Sequence, residues 1–566
     1  MSEIKNEPAI RRILLVGDTT LDPLGRLLER GQEIPKLKTS AAPYGQIYQI
    51  LLDATHSAWS FQPDTLVVWT APDLTLPSVA KLLRFEGDSA AAEFETAFGE
   101  AAQFAEAVVK AASRVNLVFV PTWMLPAHER WIQTLTWRRG VGVANLLAKA
   151  NLILADKFAE KQNIVLLDSG YWQASLTRSA YDPRMFAVAK ILYSHNLFEK
   201  AASEMKAVLR GSLGQTKKVI VCDLDNTLWG GVVGDDGPQN IKLGAPDPMG
   251  ECFHTFQIAL RGLRSRGILL AICSKNDETL ALSTIEDHPA MALRKSDFVA
   301  WRINWKDKAE NLVELAEELN LGLDSFVFLD DSPQERDQIR QILPQVYTPD
   351  LPSSPSEFAP FLSSLDCFET PNLGKEDFGR TEMYRAERDR KEALDLSGDV
   401  ETWLRSLQIE VRATPLCRDN LPRAAQLLNK TNQFNLSLRR LDEKSFWEWS
   451  EEPCNSTYTF HVADRFGDFG LAGLSSVSRD GSDARIVDFV MSCRVMGKRV
   501  EEALLGYTLT RAREAGADRI VASPVDGPRN EPAKKFFTSK LSSSDGASID
   551  MARVAIPSQI TLKEEC

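Results

Sequence analysis

The apolar run Val219-Ile220-Val221-Cys222 is followed at once by Asp223-Leu224-Asp225-Asn226-Thr227, and this junction constrains the chain more than any other segment. A strand ending in Asp-x-Asp-x-Thr sets two carboxylates at the carboxyl edge of a parallel sheet, where open α/β folds bind ligands. Successive strand residues point to opposite faces, so Asp223 and Asp225 share one face and serve one site. Two carboxylates that close either share a proton or hold a cation, and at neutral pH a divalent metal removes the repulsion. One aspartate can then attack phosphorus while the other handles the leaving-group proton. Short acidic clusters also cap helices or solvate loops, so the motif needs company.

Three further segments supply it, in order. Residues 267–273 form an apolar strand ending in Ser274-Lys275-Asn276-Asp277. Asn304-Trp305-Lys306-Asp307-Lys308 opens a helical pattern through Leu312, Leu315 and Leu319, and Phe326-Val327-Phe328-Leu329 is a third strand, ending in Asp330-Asp331-Ser332-Pro333. Nucleophile, hydroxyl, lysine and acidic pair in this order resemble the four motifs of the haloacid dehalogenase (HAD) phosphotransferase superfamily, from about Lys217 to Leu365. The resemblance implies that Asp223 attacks the phosphoryl group and becomes an aspartyl phosphate. Asp225 then protonates the departing oxygen and later deprotonates water. Thr227, Ser274 and Lys308 are the expected phosphate-binding residues. Asp330 and Asp331 complete an octahedral Mg²⁺ site, with Asp223 and the backbone carbonyl of Asp225 as the other protein ligands. Lys306 rivals Lys308 at the same helix start; the family pattern Trp-x-x-Lys favours Lys308.

The wording around the motifs, Thr227-Leu228-Trp229-Gly230-Gly231-Val232-Val233-Gly234, residues 270–277 and Arg302-Ile303-Asn304-Trp305, resembles the HAD subfamily IIIC proteins called FkbH-like. The interval between Thr227 and Ser274 is short and glycine-rich, leaving little room for a covering cap domain. The expected site is open to a bulky or protein-tethered substrate.

At 566 residues the chain has room for three domains, each with its own core. A net charge of −12 argues against nonspecific nucleic-acid binding. No apolar run approaches the ~18 residues a spanning helix needs, and the polar, mixed-charge start Met1-Ser2-Glu3-Ile4-Lys5-Asn6-Glu7 is unlike a secretory signal. A cytoplasmic enzyme without membrane insertion is expected. Eight cysteines without a Cys-x-x-Cys pair suggest reduced thiols. Cys273 reads as buried strand packing, or alternatively as a thiol beside Ser274 for acyl transfer.

Residues 1–210 read as a separate α/β unit. Apolar strands at Ile13-Leu14-Leu15-Val16, Thr65-Leu66-Val67-Val68-Trp69, residues 115–120 and residues 163–168 alternate with helical stretches such as residues 94–112, implying a doubly wound parallel sheet. Gly17-Asp18-Thr19-Thr20 resembles the first block of SGNH hydrolases, with threonine where their serine belongs. The nearest match to their late Asp-x-x-His, Asp182-Pro183-Arg184-Met185, ends in methionine. Without serine nucleophile and histidine base, a degenerate hydrolase fold used for binding is expected.

Gly211-Ser212-Leu213-Gly214-Gln215-Thr216 reads as a flexible join to the HAD-like domain at 216–370. Residues 371–403 read as a helical connector, with a charged, solvated helix at 381–391. From 404 to 545 the order of strand, helix, three strands and helix resembles an α+β GNAT-type acyltransferase domain. Arg494 and Gly497 match its CoA-pyrophosphate loop, while Arg499 replaces the last small residue, and Asn530 begins a matching late Asn-to-aromatic segment. Arg494, Gly497 and Asn530 are therefore candidate CoA or phosphopantetheine contacts.

The order pseudo-SGNH, minimal-cap HAD, GNAT-like resembles FkbH-like proteins over nearly the whole chain. That implies a Mg²⁺-dependent HAD-type phosphatase/glyceryl transferase, which dephosphorylates 1,3-bisphosphoglycerate and loads the glyceryl group on an acyl carrier protein. Two alternatives stand beside it: a phosphatase acting on a sugar or polyol phosphate in surface-polysaccharide biosynthesis, and a non-catalytic assembly or adaptor protein. The expected partners are a small phosphorylated substrate and the carrier, with Arg439-Arg440 or Lys498-Arg499 as candidate basic contacts for an acidic carrier.

Overall fold

The computed structural model describes residues 10–31, 36–84, 86, 90–125, 134–177, 179–370, 381–384, 386, 399–527, 530–542, 547–550 and 553–565. The chain divides into two compact units, the second beginning at Arg210.

In the first unit, β1 (Ile10–Gly17), β2 (Lys36–Ala41), β3 (Thr65–Trp69), β4 (Leu117–Pro121) and β5 (Ile164–Leu167) form one parallel sheet of order β2-β1-β3-β4-β5. Every residue of β3 and β4 is buried, as befits central strands covered on both faces. Leu14, Val16, Leu66 and Val68 cluster with Ala101, Phe104 and Val108 of α1 (Ala90–Ala112). Ile13, Leu15, Val67 and Trp69 cluster instead with Leu197, Phe198 and Ala201 of α2 (His195–Ser212). The sheet is doubly wound, as expected. Strand β2 was not foreseen: Lys-Leu-Lys-Thr-Ser-Ala lacks an apolar run because an edge strand pairs only with β1. Gly211 and Ser212, read as part of a flexible join, belong to the last turn of α2.

The second unit holds two sheets. Four parallel strands, β6 (Val219–Cys222), β7 (Leu269–Ser274), β8 (Phe298–Ile303) and β9 (Phe326–Leu329), stand in the order β8-β7-β6-β9. One face, with Ile220, Cys222, Leu270 and Ile272, clusters with Phe253, Phe256 and Leu260 of α3 (Pro248–Ser265). The other, with Val219, Val221, Leu269 and Ala271, clusters with Leu312 and Leu315 of α4 (Lys308–Glu318) and Ile339 of α5 (Pro333–Ile342). The chain builds outward from β6 to β8 and then returns to place β9 on the opposite side of β6. That reversal opens a crevice at the carboxyl ends of β6 and β9, the usual ligand position in such sheets. The proline- and serine-rich stretch at 349–360 leads into α6 (Phe358–Ser364), whose Phe358 and Leu362 join the first of these clusters.

The last sheet, β10 (Glu410–Pro415), β11 (Asn455–Asp464), β12 (Gly467–Asp480), β13 (Asp483–Met491), β14 (Arg519–Ala522) and β15 (Thr561–Glu564), has the order β14-β13-β12-β11-β10-β15. Its four central strands are antiparallel, and β14 and β15 join the edges in parallel. The sheet therefore extends beyond residue 545, the expected end, because β15 pairs with β10. The helices expected near 424–428 and 500–513 are α7 (Leu421–Lys430) and α8 (Val500–Glu514). Residues 381–384 are helical, whereas most of the expected charged connector lies outside the described residues. Among the described residues, no helix is long and apolar enough to cross a membrane.

Candidate active site

Strand pairing carries the first aspartate into the crevice. Asp223 N–H donates to Leu329 carbonyl at 2.9 Å, prolonging the β6–β9 register by one residue. The chain then turns tightly: Asn226 adopts φ +54°, and Leu228 N–H donates to Leu224 carbonyl at 2.7 Å. The turn throws Asp225 to the side, where its carboxylate accepts from Trp229 Nε1 at 2.8 Å, Val233 N–H at 3.0 Å and Asn276 Nδ2 at 2.8 Å. Ser274, at the end of neighbouring β7, is buried, and its hydroxyl lies near enough to Asp223 to favour the charged carboxylate.

Lys308 is the first residue of α4, whose N-terminus is capped by Asp307 accepting from Ala309 N–H at 2.7 Å. Its side chain is 4% exposed, with Nζ 2.6 Å from Asp330 Oδ2 and 3.2 Å from Asp223 Oδ1. Burial alone would lower its pKa, but the Asp223 and Asp330 carboxylates outweigh burial and hold the ammonium above its ordinary value. Lys306, the rival, is mostly exposed and pairs with Glu314 at 3.0 Å. The lysine inside the crevice is Lys308.

The acidic loop after β9 is held by its backbone. Arg336 Nη1 donates to the carbonyls of Asp330 at 2.7 Å and Asp331 at 2.8 Å, and Ser332 N–H donates to Asp330 Oδ1 at 2.9 Å. Carboxylate oxygens of Asp223, Asp330 and Asp331 lie within 4.8 Å of one another. Burial raises the pKa of all three; Asp223 adds to the shift at Asp330, and Asp330 adds to it at Asp331. Asp223 Oδ1 is buried and accepts no well-aligned hydrogen bond. Three crowded carboxylates facing one ammonium leave uncompensated negative charge, and the donors are all oxygen. That set suits a hard divalent cation such as Mg²⁺.

Several expected residues sit elsewhere. Thr227 is fully buried, and its hydroxyl accepts from Asp331 N–H at 3.2 Å. It holds the acidic loop and has no surface to offer a phosphate. Cys273 points away from the crevice into the core cluster shared with α4, is fully buried, and burial pushes its thiol up to about 12. It is a packing residue rather than an acyl-transfer thiol. The carboxylate of Asp225 lies outside the acidic cluster.

The candidate CoA contacts do not converge on a free groove. Asn530 is 1% exposed: its Oδ1 accepts from Asn435 N–H at 3.1 Å and its Nδ2 donates to Val525 carbonyl at 2.9 Å. Strands β13 and β14 pair only as far as Ile486 and Ala522. Beyond that, Leu436 N–H donates to Phe489 carbonyl, Met491 N–H to Phe434 carbonyl and Val525 N–H to Leu436 carbonyl, so the chain itself fills the gap. Gly497 has φ +76° and Arg499 φ +58°, and Arg499 pairs with Glu401 at 2.7 Å. Arg494 Nε donates to Ser492 at 3.1 Å. The candidate basic contacts are also engaged internally: Arg439 with buried Asp488, Arg440 with Leu428 carbonyl, and Lys498 with Arg494 carbonyl. In the first unit, Asp18 is buried and accepts from Ala71 N–H and Thr75, while Asp182 caps a helix through Met185 N–H.

Asn276 and Arg336 were missed as site residues. Asn276 sat inside the recognised Ser-Lys-Asn-Asp run, but its partner Asp225 is visible only once β6 and β7 are neighbours.

No protein-family model matches the chain, and no curated protein matches it. Among solved structures, the N-terminal part of protein BF1531 from Bacteroides fragilis, which contains a phosphatase domain and was crystallised with Mg, is 27% identical to this chain. The alignment covers 64% of this chain and 95% of that one, with a TM-score of 0.58. Two weaker matches, both 10% identical, bear on neither fold nor function. A domain from Methanocaldococcus jannaschii has a TM-score of 0.20, covering 25% of this chain and 96% of that one. A GCN5-related glucosamine N-acetyltransferase region of a fungal multi-domain β-N-acetylglucosaminidase has a TM-score of 0.19, covering 93% and 77%. The parallel sheet with its acidic, lysine-bearing crevice is similar to the Mg-complexed phosphatase domain of BF1531. The chain itself is a multidomain α/β protein with several parallel-strand sheets.

Proposed function

We propose that this chain is a Mg²⁺-dependent phosphatase or phosphotransferase whose nucleophile is Asp223. The observation that carries the reading is the convergence of Asp223, Ser274, Lys308, Asp330 and Asp331, from four separate segments, on one crevice. The Mg-complexed phosphatase domain of BF1531 supports it.

Asp223, Asp330 and Asp331 would hold the cation, with the backbone carbonyl of Asp225 as the remaining protein ligand. Bound there, it offsets negative charge on the phosphoryl oxygens. Lys308 lies against Asp223 and so meets the charge of an entering phosphoryl group, while Ser274 donates to one of its oxygens. Asp223 attacks in line, and Asp225 handles the proton of the leaving group and then of water.

We further infer, from the FkbH-like wording of the motifs and the minimal cap, that the donor is 1,3-bisphosphoglycerate and that an acyl carrier protein receives the glyceryl group. Incubation with that donor and candidate carriers, read by intact mass, tests this directly. A glyceryl adduct on the carrier, lost with Asp223→Asn, supports the full reading. Phosphate release from a sugar or polyol phosphate without an adduct supports the hydrolytic alternative. Full activity of Asp223→Asn contradicts both.

A further inference from the structure

Asp225 is gripped from three places. Its Oδ1 accepts two hydrogen bonds, from Trp229 Nε1 at 2.8 Å and Val233 N–H at 3.0 Å, and its Oδ2 accepts one, from Asn276 Nδ2 at 2.8 Å. A carboxylate offers about four lone-pair positions. Two on Oδ1 and one on Oδ2 are taken, so a single acceptor position remains, on Oδ2, and the Asn276 amide fixes where it points. Asn276 is itself set rigidly: it is 5% exposed, and its own Oδ1 accepts from Asp277 N–H at 3.0 Å. It lies two residues beyond Ser274, so one loop both presents a hydroxyl to Asp223 and orients Asp225.

We propose that Asn276 is a positioning residue that aims the free acceptor position of Asp225 at the water of the second half-reaction. This rests on the phosphoryl-transfer reading above and adds a residue to it. In the first half-reaction an Asp223 oxygen bonds to phosphorus, and the bond to the leaving oxygen breaks with its electron pair. In the second, the oxygen of water bonds to phosphorus, its proton passes to Asp225 Oδ2, and the bond between phosphorus and Asp223 breaks. Asp223 returns as carboxylate and inorganic phosphate departs. The second step needs Asp225 Oδ2 on the line of the attacking water. A leaving group that departs as a stable anion makes no such demand in the first.

The test is rapid-quench turnover of the full chain with acetyl phosphate and Mg²⁺, counting phosphoprotein by intact mass. In Asn276→Ala the first step stays within about twofold of wild type, while the second slows by about a hundredfold, the cost of misplacing a reacting group by an ångström. Phosphoprotein then accumulates, and kcat and KM fall together. Trp229→Phe, which keeps the buried ring and removes its N–H, gives the same pattern from a different segment, whereas loosening of the Ser274 loop alone would spare it. Unchanged second-step rates in both variants overturn the proposal. So does an equal fall of both steps in Asn276→Ala, which would mean that the loop merely holds Ser274. Phosphoprotein persisting in Asp223→Asn overturns the phosphoryl-transfer reading, and this proposal with it.

Discussion

Lys308 Nζ stands 2.6 Å from Asp330 Oδ2, a contact between the start of one helix and the end of one strand that is closed off from solvent on both sides. The same ammonium lies 3.2 Å from Asp223 Oδ1. One buried cation thus ties the expected nucleophile to the expected metal-binding loop. Neither carboxylate has another cationic side chain within ion-pairing distance among the described residues.

Replacing Lys308 by methionine keeps the volume and removes the charge. Breaking a buried pair from one side typically costs about 3–5 kcal/mol, and here two carboxylates lose their partner. Urea unfolding of Lys308→Met with EDTA should show a loss of that order. Added Mg²⁺ should restore part of it by binding the native carboxylates. Wild-type stability in the metal-free variant would mean that the pair contributes nothing.

The raised pKa values of Asp223, Asp330 and Asp331 give this site a pH signature. Because the folded carboxyls hold protons above the unfolded value, the metal-free protein binds more protons folded than unfolded. Its stability therefore falls as pH rises out of the ordinary carboxylate range. A cation relieves a penalty that exists only when the groups are charged. The rise in melting temperature caused by Mg²⁺ should be larger near neutral pH than near roughly pH 5. An equal or larger rise in acid would contradict the assignment of the cluster as the metal site.

Asp18 carries a separate signature in the first unit. Burial raises its carboxyl to about 7 from 3.8, despite hydrogen bonds from Thr75 and Ala71. Its folded value lies above its unfolded one, so its contribution to stability declines as pH rises through this window, and the penalty is complete above it. Asp18→Asn removes the titration and keeps an acceptor for Ala71 N–H. Relative to wild type, the variant should gain stability with rising pH, by up to about 4 kcal/mol. A pH-independent difference in thermal melts would exclude this.

Cys273 should behave as a buried apolar residue. With the thiol pushed up to about 12 and no exposed surface, it should resist alkylation of the native protein under conditions where exposed Cys417 and Cys454 react. Cys273→Ala should retain carrier loading or phosphate release, at a stability cost of about 1 kcal/mol for the lost packing. Native alkylation that abolishes turnover would reinstate it as a functional thiol.

What was legible in the chain was whatever is local. Each of the four motifs follows an apolar strand or opens a periodic helix, so β6, β7, β9 and α4 could be placed, and with them Asp223, Ser274, Lys308, Asp330 and Asp331. Thr227 was expected at the phosphate from the family motif alone; the turn at Asn226 tucks it beneath Asp331 instead. Cys273 beside Ser274 illustrates alternation, since adjacent strand residues face opposite sides and only one can meet the crevice. The edge strands β2 and β15 escaped notice because they carry little apolar sequence. Asn276 and Arg336 act through partners brought near by sheet order or by a loop's backbone, which no spacing rule displays. The filled gap beside β13 is likewise a property of residues 434–436 folding back, which no local pattern displays.

The central claim is that Asp223 accepts phosphorus covalently. The most direct measurement is to quench the full chain in acid during turnover of acetyl phosphate with Mg²⁺, reduce the acyl phosphate with borohydride, and map the modified residue by peptide mass. The account predicts conversion of Asp223 to homoserine in wild type and none in Asp223→Asn. Modification at another residue, or undiminished phosphate release by Asp223→Asn, would contradict it.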